Sequence, residues 1–242
     1  LHQGRLDGIN FKAGIFSNFS QDHLDYHNSM KQYFKAKMIL FNQLLKKNKY
    51  LISNSKIKKF KKIKIIINKK KLKFIDIANK EIQEKNKPHK IIGNFQIKNL
   101  LMAIEAAKLC GAKTQKIMKT IKNLECVNGR LELIKIFYNK AKVFVDYAHT
   151  PEALQNALRS LKDHYKAEIS LVFGCGGERD IKKRALMGKI AKKICKKIYI
   201  TDDNPRNENP KKIRRMIIKS LKGSSFFEIA NRKKAIQTAI KE

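Results

Sequence analysis

The chain has 242 residues, enough for one large or two ordinary domains, and 43% of them are hydrophobic, enough for a real core. Lys and Arg number 55 against 20 Asp and Glu, a formal net charge of +35, which raises a polyanion partner such as nucleic acid, an anionic membrane or a phosphorylated ligand. The excess is mostly Lys, in company with Ile and Asn, all three favoured by A/T-rich codons, and no RGG run, zinc-finger spacing or RNP-like aromatic motif accompanies it. The charge therefore reads as compositional, and no nucleic-acid partner is expected. Cys110, Cys126, Cys175 and Cys195 are scattered without a CxxC, which excludes a disulfide framework or a zinc knuckle and fits a reducing compartment. No apolar run approaches the ~20 residues of a membrane span.

Taken in order, "AGIFSNFS" (13–20) predicts a buried strand ending in a polar loop. Then "SNFSQDHLDYHNSMKQYFKAKMILF" (17–41) places Asp22, His23, Asp25 and His27 within six residues. His23 and His27 have H-x-x-x-H spacing, which can bridge one metal on a helix, but the Glu of HExxH is missing and zinc is not expected. A helix is predicted from Ser29 to about Lys46, with Ser29 and Gln32 at capping-box spacing. At about 100° per residue its apolar stripe is Met30, Tyr33, Phe34, Met38, Phe41, Leu44 and Leu45, with Lys37 near the centre. Such a Lys ordinarily snorkels, with its stem on the core and its head in water. Desolvation instead would favour the neutral amine. A neutral amine can take up CO₂ as a carbamate, which turns a cation into a carboxylate-like metal ligand.

"KYLISNS" and "KIKIIINKKKLKFIDI" alternate apolar and polar residues and predict strands or a hairpin, with the Lys run of 56–73 on a solvated strand face. A helix is predicted from about Gln96 to a C′ glycine at Gly111, and a short one over "TQKIMKTIKNL". The pattern changes near "ECVNGRLELIKI", where a domain boundary is placed. Strands at 131–138 and 141–146 precede a helix with Pro151 in its first turn, and strand–helix alternation continues to the end. That alternation predicts a mostly parallel α/β sheet, with ligands at the carboxyl ends of its strands. The unusual polar stretches lie at such ends: "SNFSQDH", "VDYAHT", "FGCGGERD" and "TDDNPR". "GCGGERD" is neither GxGxxG nor a Walker loop, but its glycines let backbone approach a ligand. The chain begins at Leu1, and "NRKKAIQTAIKE" is a helical pattern, so both ends read as cut and a fragment is expected.

"SNFSQDHLDYHNSMKQYFKAKMILF", "GNFQIKNLLMAIEAAKLCG", "NGRLELI", "VDYAHTPEAL", "VFGCGGERDIKKRALM" and "DDNPR" together resemble, in order and over essentially the whole chain, the Mur ligases that add the third amino acid of the peptidoglycan stem peptide. Folylpolyglutamate synthetases share the architecture but not this set of motifs. The resemblance implies an α/β fold. Residues 1–127 would be the remnant of a central ATP- and Mg²⁺-binding domain, mostly parallel in its sheet. Residues 128–242 would be a Rossmann-like C-terminal domain that binds the amino acid, truncated at its end. It implies a cytoplasmic monomer working on small molecules, without membrane or nucleic acid, in cell-wall precursor synthesis. The reaction would be ATP-dependent amide formation that joins meso-diaminopimelate to UDP-N-acetylmuramoyl-L-alanyl-D-glutamate through an acyl phosphate. Mg²⁺ and cationic side chains must screen the anionic oxygens, and the amine must be held neutral beside the acyl carbon.

By the same resemblance Lys37 is a carbamylated lysine that organises Mg²⁺, and His23 is a metal ligand, although Mg²⁺ prefers oxygen. Asp22, Asp25 and His27 shape or support that loop. Gln3 and Arg5 in "LHQGRLDG" hold the UDP-linked dipeptide, the guanidinium by bidentate pairing. Asn99, Arg130, Asp146 and His149 serve ATP: Asn99 at a helix start, Arg130 facing the phosphates, Asp146 on the ribose hydroxyls and His149 beside the nucleotide. The family usually has Asn where this chain has Gln96. Arg179, Asp203, Asn204, Pro205 and Arg206 serve diaminopimelate. An Arg there suits the far carboxylate of diaminopimelate and repels the ammonium of L-lysine. The family's phosphate loop GxxxxGK[ST], its Glu metal ligand and its uridine-binding domain lie upstream of the position of Leu1. A Gly- and Glu-containing pocket motif lies beyond that of Glu242. The chain alone is therefore expected to lack ligase turnover. A related ligase for L-lysine or another amino acid, and a basic non-enzymatic polyanion binder, are the competing readings.

Overall fold

A computed structural model describes every residue except His2 and His23, and of the Asp25 side chain it gives nothing. The chain divides into two compact units, residues 1–20 with 26–126 and residues 21–25 with 127–242.

In the first unit β1 (Ala13–Phe16), β2 (Tyr50–Ser53) and β3 (Lys73–Asp76) pair in parallel, in that order. Leu51 and Ile52 are successive on β2, so their side chains leave opposite faces, and both are fully buried. Leu51 packs in a cluster with Phe16, Met38, Phe41, Ile63 and Leu72. Ile52 packs in another with Ile77, Leu101, Met102, Ile117 and Ile121. Both faces of the sheet are thus covered, as all-parallel sheets require. After one helical turn (α1, Leu24–His27), α2 (Met30–Ile39) and α3 (Phe60–Lys69) supply the first face. On the second lie α4 (Asn94–Leu109) and α5 (Thr114–Lys122).

Local chemistry explains the ends of these helices. Ser29 Oγ accepts the Gln32 N–H at 3.2 Å, starting α2, which runs on as a π-helical segment, Leu40–Leu44. Gly111, at φ +94°, ends α4 in the left-handed conformation, and the Ala112 N–H reaches back to the Ala107 carbonyl at 3.0 Å.

The hairpin expected over "KIKIIINKKKLKFIDI" is corrected: its first part is the helix α3, and β2 and β3 run parallel. A parallel pair needs a crossover, and here that is α3. Its buried residues Ile63 and Ile67 are four apart, a helical spacing hidden within an Ile-rich run whose β-branching mimics a strand. The lysines of that run sit on a helix face and its flanks.

In the second unit β4 (Glu132–Ile136) and β5 (Lys142–Val145) form an antiparallel pair with an irregularity between Leu133 and Lys135. A three-stranded parallel sheet follows, β6 (Ser170–Phe173), β7 (Lys197–Ile200) and β8 (Phe226–Glu228). The helices are α6 (Pro151–Tyr165), α7 (Lys182–Ile194), α8 (Pro210–Ile218) and α9 (Arg232–Lys241). α6 starts with Thr150 as its cap and Pro151 in its first turn. The core joins Leu154 and Leu158 of α6, Phe173, Met187 and Ala191 of α7, Ile198 and Ile200 of β7, and Ile213 and Ile217 of α8. Each of these side chains except that of Ala191 contributes about 1.5–3 kcal/mol by leaving water. The strand β8 was not anticipated, being only three residues long. Among the described residues no helix is long and apolar enough to cross a membrane.

Candidate active site

In the first unit the carboxyl end of β1 meets α2. Lys37 is half-buried, and its Nζ donates to the Asn18 carbonyl at 3.3 Å. It lies 5.0 Å from the centre of the Tyr33 ring and 5.7 Å from that of Phe16. A carbonyl and two π faces suit an ammonium. They suit a carbamate badly, so conversion of Lys37 to an anion needs a cation to hold the product. As an amine Lys37 offers Mg²⁺ no oxygen, whereas its carbamate would offer two. His27 stacks on Tyr33 at 5.3 Å. His23, the other expected ligand, lies outside the described residues. Among the described residues no three His, Cys, Asp or Glu side chains gather as a metal site.

In the second unit the turn before β4 meets the end of β5. The two carboxylate oxygens of Asp146 accept the Leu131 N–H at 2.9 Å and the Ala148 N–H at 2.8 Å. Burial raises the Asp146 carboxyl above its usual range, against the pull of those two donors and of the Arg130 charge. Each oxygen keeps a lone pair for a further donor. Arg130 is exposed and its guanidinium lies 4.8 Å from the centre of the Tyr147 ring. His149 Nδ1 is 3.0 Å from the Tyr147 carbonyl, and its Nε2 is 3.9 Å from Asp22 Oδ2, which belongs to the same compact unit. Lys183 Nζ donates to the His149 carbonyl at 3.0 Å. Arg130, Asp146 and His149 are thus brought together around Tyr147.

The loops after β6 and β7, which are neighbouring strands, pack backbone against backbone. A Cβ on Gly177 would sit 1.8 Å from the Pro205 carbonyl oxygen, and one on Gly174 would sit 2.3 Å from that of Thr201, so neither position tolerates a side chain. The Gly177 N–H donates to the Asn204 carbonyl at 3.1 Å, and Arg206 Nη1 donates to the Gly177 carbonyl at 2.5 Å. Arg206 therefore lies over the diglycine. Asp202 and Asp203 part ways: Asp202 pairs with Arg214 of α8, whereas Asp203 is exposed. Arg179, Asp203, Asn204 and Arg206 border one cleft of about 1400 Å³, within the second unit, which Asp146 and His149 also line.

The remaining expected residues lie elsewhere. Gln3 and Arg5 are exposed on a turn of the first unit, closed by the Gly4 N–H to the Leu1 carbonyl at 3.1 Å. Asn99 is exposed in the second turn of α4, and the Gln96 amide turns back onto the Ile92 carbonyl at 3.0 Å. Sequence reasoning missed Arg184 and Glu208. Arg184 is 1% exposed and forms a bidentate pair with Glu208 at 2.9 and 2.8 Å. That pairing and the Glu178 N–H hold the Glu208 carboxyl down at about 2. The available signal was spacing, since Arg184, Met187, Gly188 and Ala191 share the buried face of α7.

The model of the Mur ligase middle domain matches residues 1–89, and that of the Mur ligase glutamate ligase domain matches residues 129–242. The chain belongs to the Mur ligase family. It is 39% identical over 264 aligned positions to a protein of Rickettsia bellii (strain RML369-C) named UDP-N-acetylmuramoyl-L-alanyl-D-glutamate–2,6-diaminopimelate ligase, which covers 99% of this chain and 55% of the relative. To the protein of the same name from Buchnera aphidicola subsp. Schizaphis graminum (strain Sg) it is 38% identical, over 98% of this chain and 53% of the relative. A solved structure with that name superposes with a TM-score of 0.55 at 29% identity, over 100% of this chain and 54% of the other. A Mycobacterium tuberculosis folylpolyglutamate synthase complexed with ADP shares the fold, with a TM-score of 0.75 at 13% identity over 97% of this chain and 57% of the other. The chain spans about half the length of the curated relatives it matches.

Proposed function

We propose that this chain carries the Mg²⁺-organising lysine, the nucleotide-facing residues and part of the amino-acid pocket of a cytoplasmic ligase. That ligase joins meso-diaminopimelate to UDP-N-acetylmuramoyl-L-alanyl-D-glutamate with ATP, through an acyl phosphate. The observation that carries the reading is the shared cleft of the second unit. One part offers Asp146 and His149, with Arg130 beside them against the ring of the lining Tyr147, suited to a ribose and phosphates, and the other offers Arg179 and Arg206, suited to carboxylates. The names of the relatives point the same way.

Arg206 spends Nη1 on the Gly177 carbonyl, and its other N–H groups can pair bidentately with the far carboxylate of diaminopimelate. L-lysine would bring an ammonium to the same place and be repelled. Asp146 would accept ribose hydroxyls on its remaining lone pairs, and Arg130 would offset phosphate charge. Lys37, as its carbamate, would hold Mg²⁺ with His23. The ion, when bound, screens the negative charge that gathers as phosphate and carboxylate approach. Residues 1–127 and 128–242 are proposed as the central and C-terminal domains.

The test is calorimetric titration of the 242-residue chain with meso-diaminopimelate and L-lysine. Preference for meso-diaminopimelate is expected, and Arg206→Leu should cost about 2–3 kcal/mol of it, the scale of a charged partner lost. Preference for L-lysine would overturn the substrate, and an Arg206→Leu variant that still prefers diaminopimelate would overturn the role of Arg206.

A further inference from the structure

We propose that the pair of the buried Arg184 with the half-buried Glu208 is a positioning device that locks the loop after β6 to the loop after β7 and so fixes where Arg206 presents its guanidinium. The inference rests on the reading of Arg206 as the partner of a second carboxylate.

The two side chains touch both loops at once. Arg184 reaches out of α7 and grips Glu208 through both terminal nitrogens, at 2.9 and 2.8 Å. Its Nη2 also donates to the Gly176 carbonyl at 3.3 Å. Glu208 Oε1 in turn accepts the Glu178 N–H at 2.5 Å. The loop after β6 is therefore held at Gly176 and Glu178, and Glu208 itself anchors the segment that carries Arg206. Asn207 Nδ2 adds a bond to Glu178 Oε1 at 2.7 Å. Between these points lies the contact that matters for the cleft, Arg206 on the Gly177 carbonyl.

Two observations argue that the pair serves geometry rather than stability. First, Glu178, Asn204 and Arg206 all lie at positive φ, at 51°, 32° and 51°. Non-glycine residues persist there only where their surroundings over-determine them, and such strain gathers at functional sites. Second, burying an arginine is costly, and an apolar pair of similar volume often serves stability as well or better. Arg184 bears an added cost, because its Nε is buried and has no hydrogen-bond partner among the described residues. What an apolar pair cannot supply is a carboxylate that takes a loop N–H while it holds a guanidinium on a loop carbonyl.

The experiment compares the wild-type chain with Glu208→Gln and with the double variant Arg184→Met/Glu208→Leu, whose apolar pair is chosen to preserve folding. Amide exchange at Gly177 and Glu178 is read by NMR without ligand, and affinities for meso-diaminopimelate and L-lysine are read by calorimetry. In folded variants exchange at both amides should rise about ten-fold or more. Affinity for meso-diaminopimelate should fall by about ten-fold while that for L-lysine holds. Unchanged exchange in a folded variant overturns the proposal, and so does faster exchange with undiminished preference for meso-diaminopimelate. If the wild-type chain prefers L-lysine or binds neither ligand, the reading of Arg206 fails, and the exchange rates still decide whether the pair locks the loops.

Discussion

Two helices of this chain put a cation on an apolar stripe, and the two units use it in opposite ways. Lys37 on α2 is half-buried, against a carbonyl and two ring faces. Arg184 on α7 is wholly buried, with both terminal nitrogens on one carboxylate. The side chains differ in what they can become. A guanidinium keeps its proton in any protein environment, so a buried Arg must find an anion and stays fixed on it. A lysine amine can lose its proton and react. One position is thus suited to rigidity and the other to chemistry.

The comparison breaks first on stability. Arg184→Ala empties a fully buried site and takes the donors away from Glu208 and the Gly176 carbonyl, so it should cost about 3–5 kcal/mol. Lys37→Ala should cost about 1–2 kcal/mol, since it removes a half-buried stem, one carbonyl contact and the approach to two ring faces. Urea midpoints of the two variants check this. A Lys37 cost as large as that of Arg184 would make Lys37 a structural residue and weaken the metal-organising role proposed for it.

The contrast also marks what the sequence could tell. Lys37 was legible because a Ser29 cap and an uninterrupted stripe defined its helix. Arg184 sits on a stripe of the same spacing, but the partner that gives it meaning is 24 residues downstream. Pairing at that range depends on β6 and β7 being neighbours, which periodicity does not reveal. The same blindness turned α3 into an expected hairpin, because an Ile-rich run satisfies both periods and only the crossover between parallel strands decides. The carboxyl-end rule did better: "VDYAHT", "FGCGGERD" and "TDDNPR" all border one cleft. Motif order implies roles for Asp146 and Arg206 that spacing alone could not assign, and those roles are proposals.

A second difference is in pH. Glu208 is held at about 2, below its ordinary 4.5. A depressed carboxyl contributes stability above its unfolded value and loses it as the pH falls toward the folded one. Denaturant midpoints should therefore drop between about pH 4.5 and 2. Asp146 runs the other way, because its raised carboxyl favours folding more as the pH falls. Other depressed carboxyls, such as Glu105, share the acid loss. The contribution of Glu208 is thus the part of the slope missing from Arg184→Met/Glu208→Leu. Equal slopes in the two proteins would mean that the pair carries no charge-dependent stability.

The smallest effect is expected from the feature most conspicuous in the composition. Lys58, Lys61, Lys62 and Lys64, in and just before α3, are exposed. Exposed substitutions away from caps and pairs stay within about 0.5 kcal/mol. Changing these four to Gln should leave the urea midpoint and the meso-diaminopimelate affinity nearly unchanged. Lys70 is the instructive exception in the same run. Its Nζ donates to the Asn42 carbonyl at 3.0 Å and also to that of Leu45, tying the end of α3 to the π-helical segment. Partial burial, with Lys47 nearby, lowers its pKa. Lys70→Gln should therefore cost about 1 kcal/mol, the scale of a bond to a charged donor discounted for exposure. If the four exposed lysines instead proved necessary for ligand binding, the basic face would be functional, and a polyanion-binding role would displace the ligase reading.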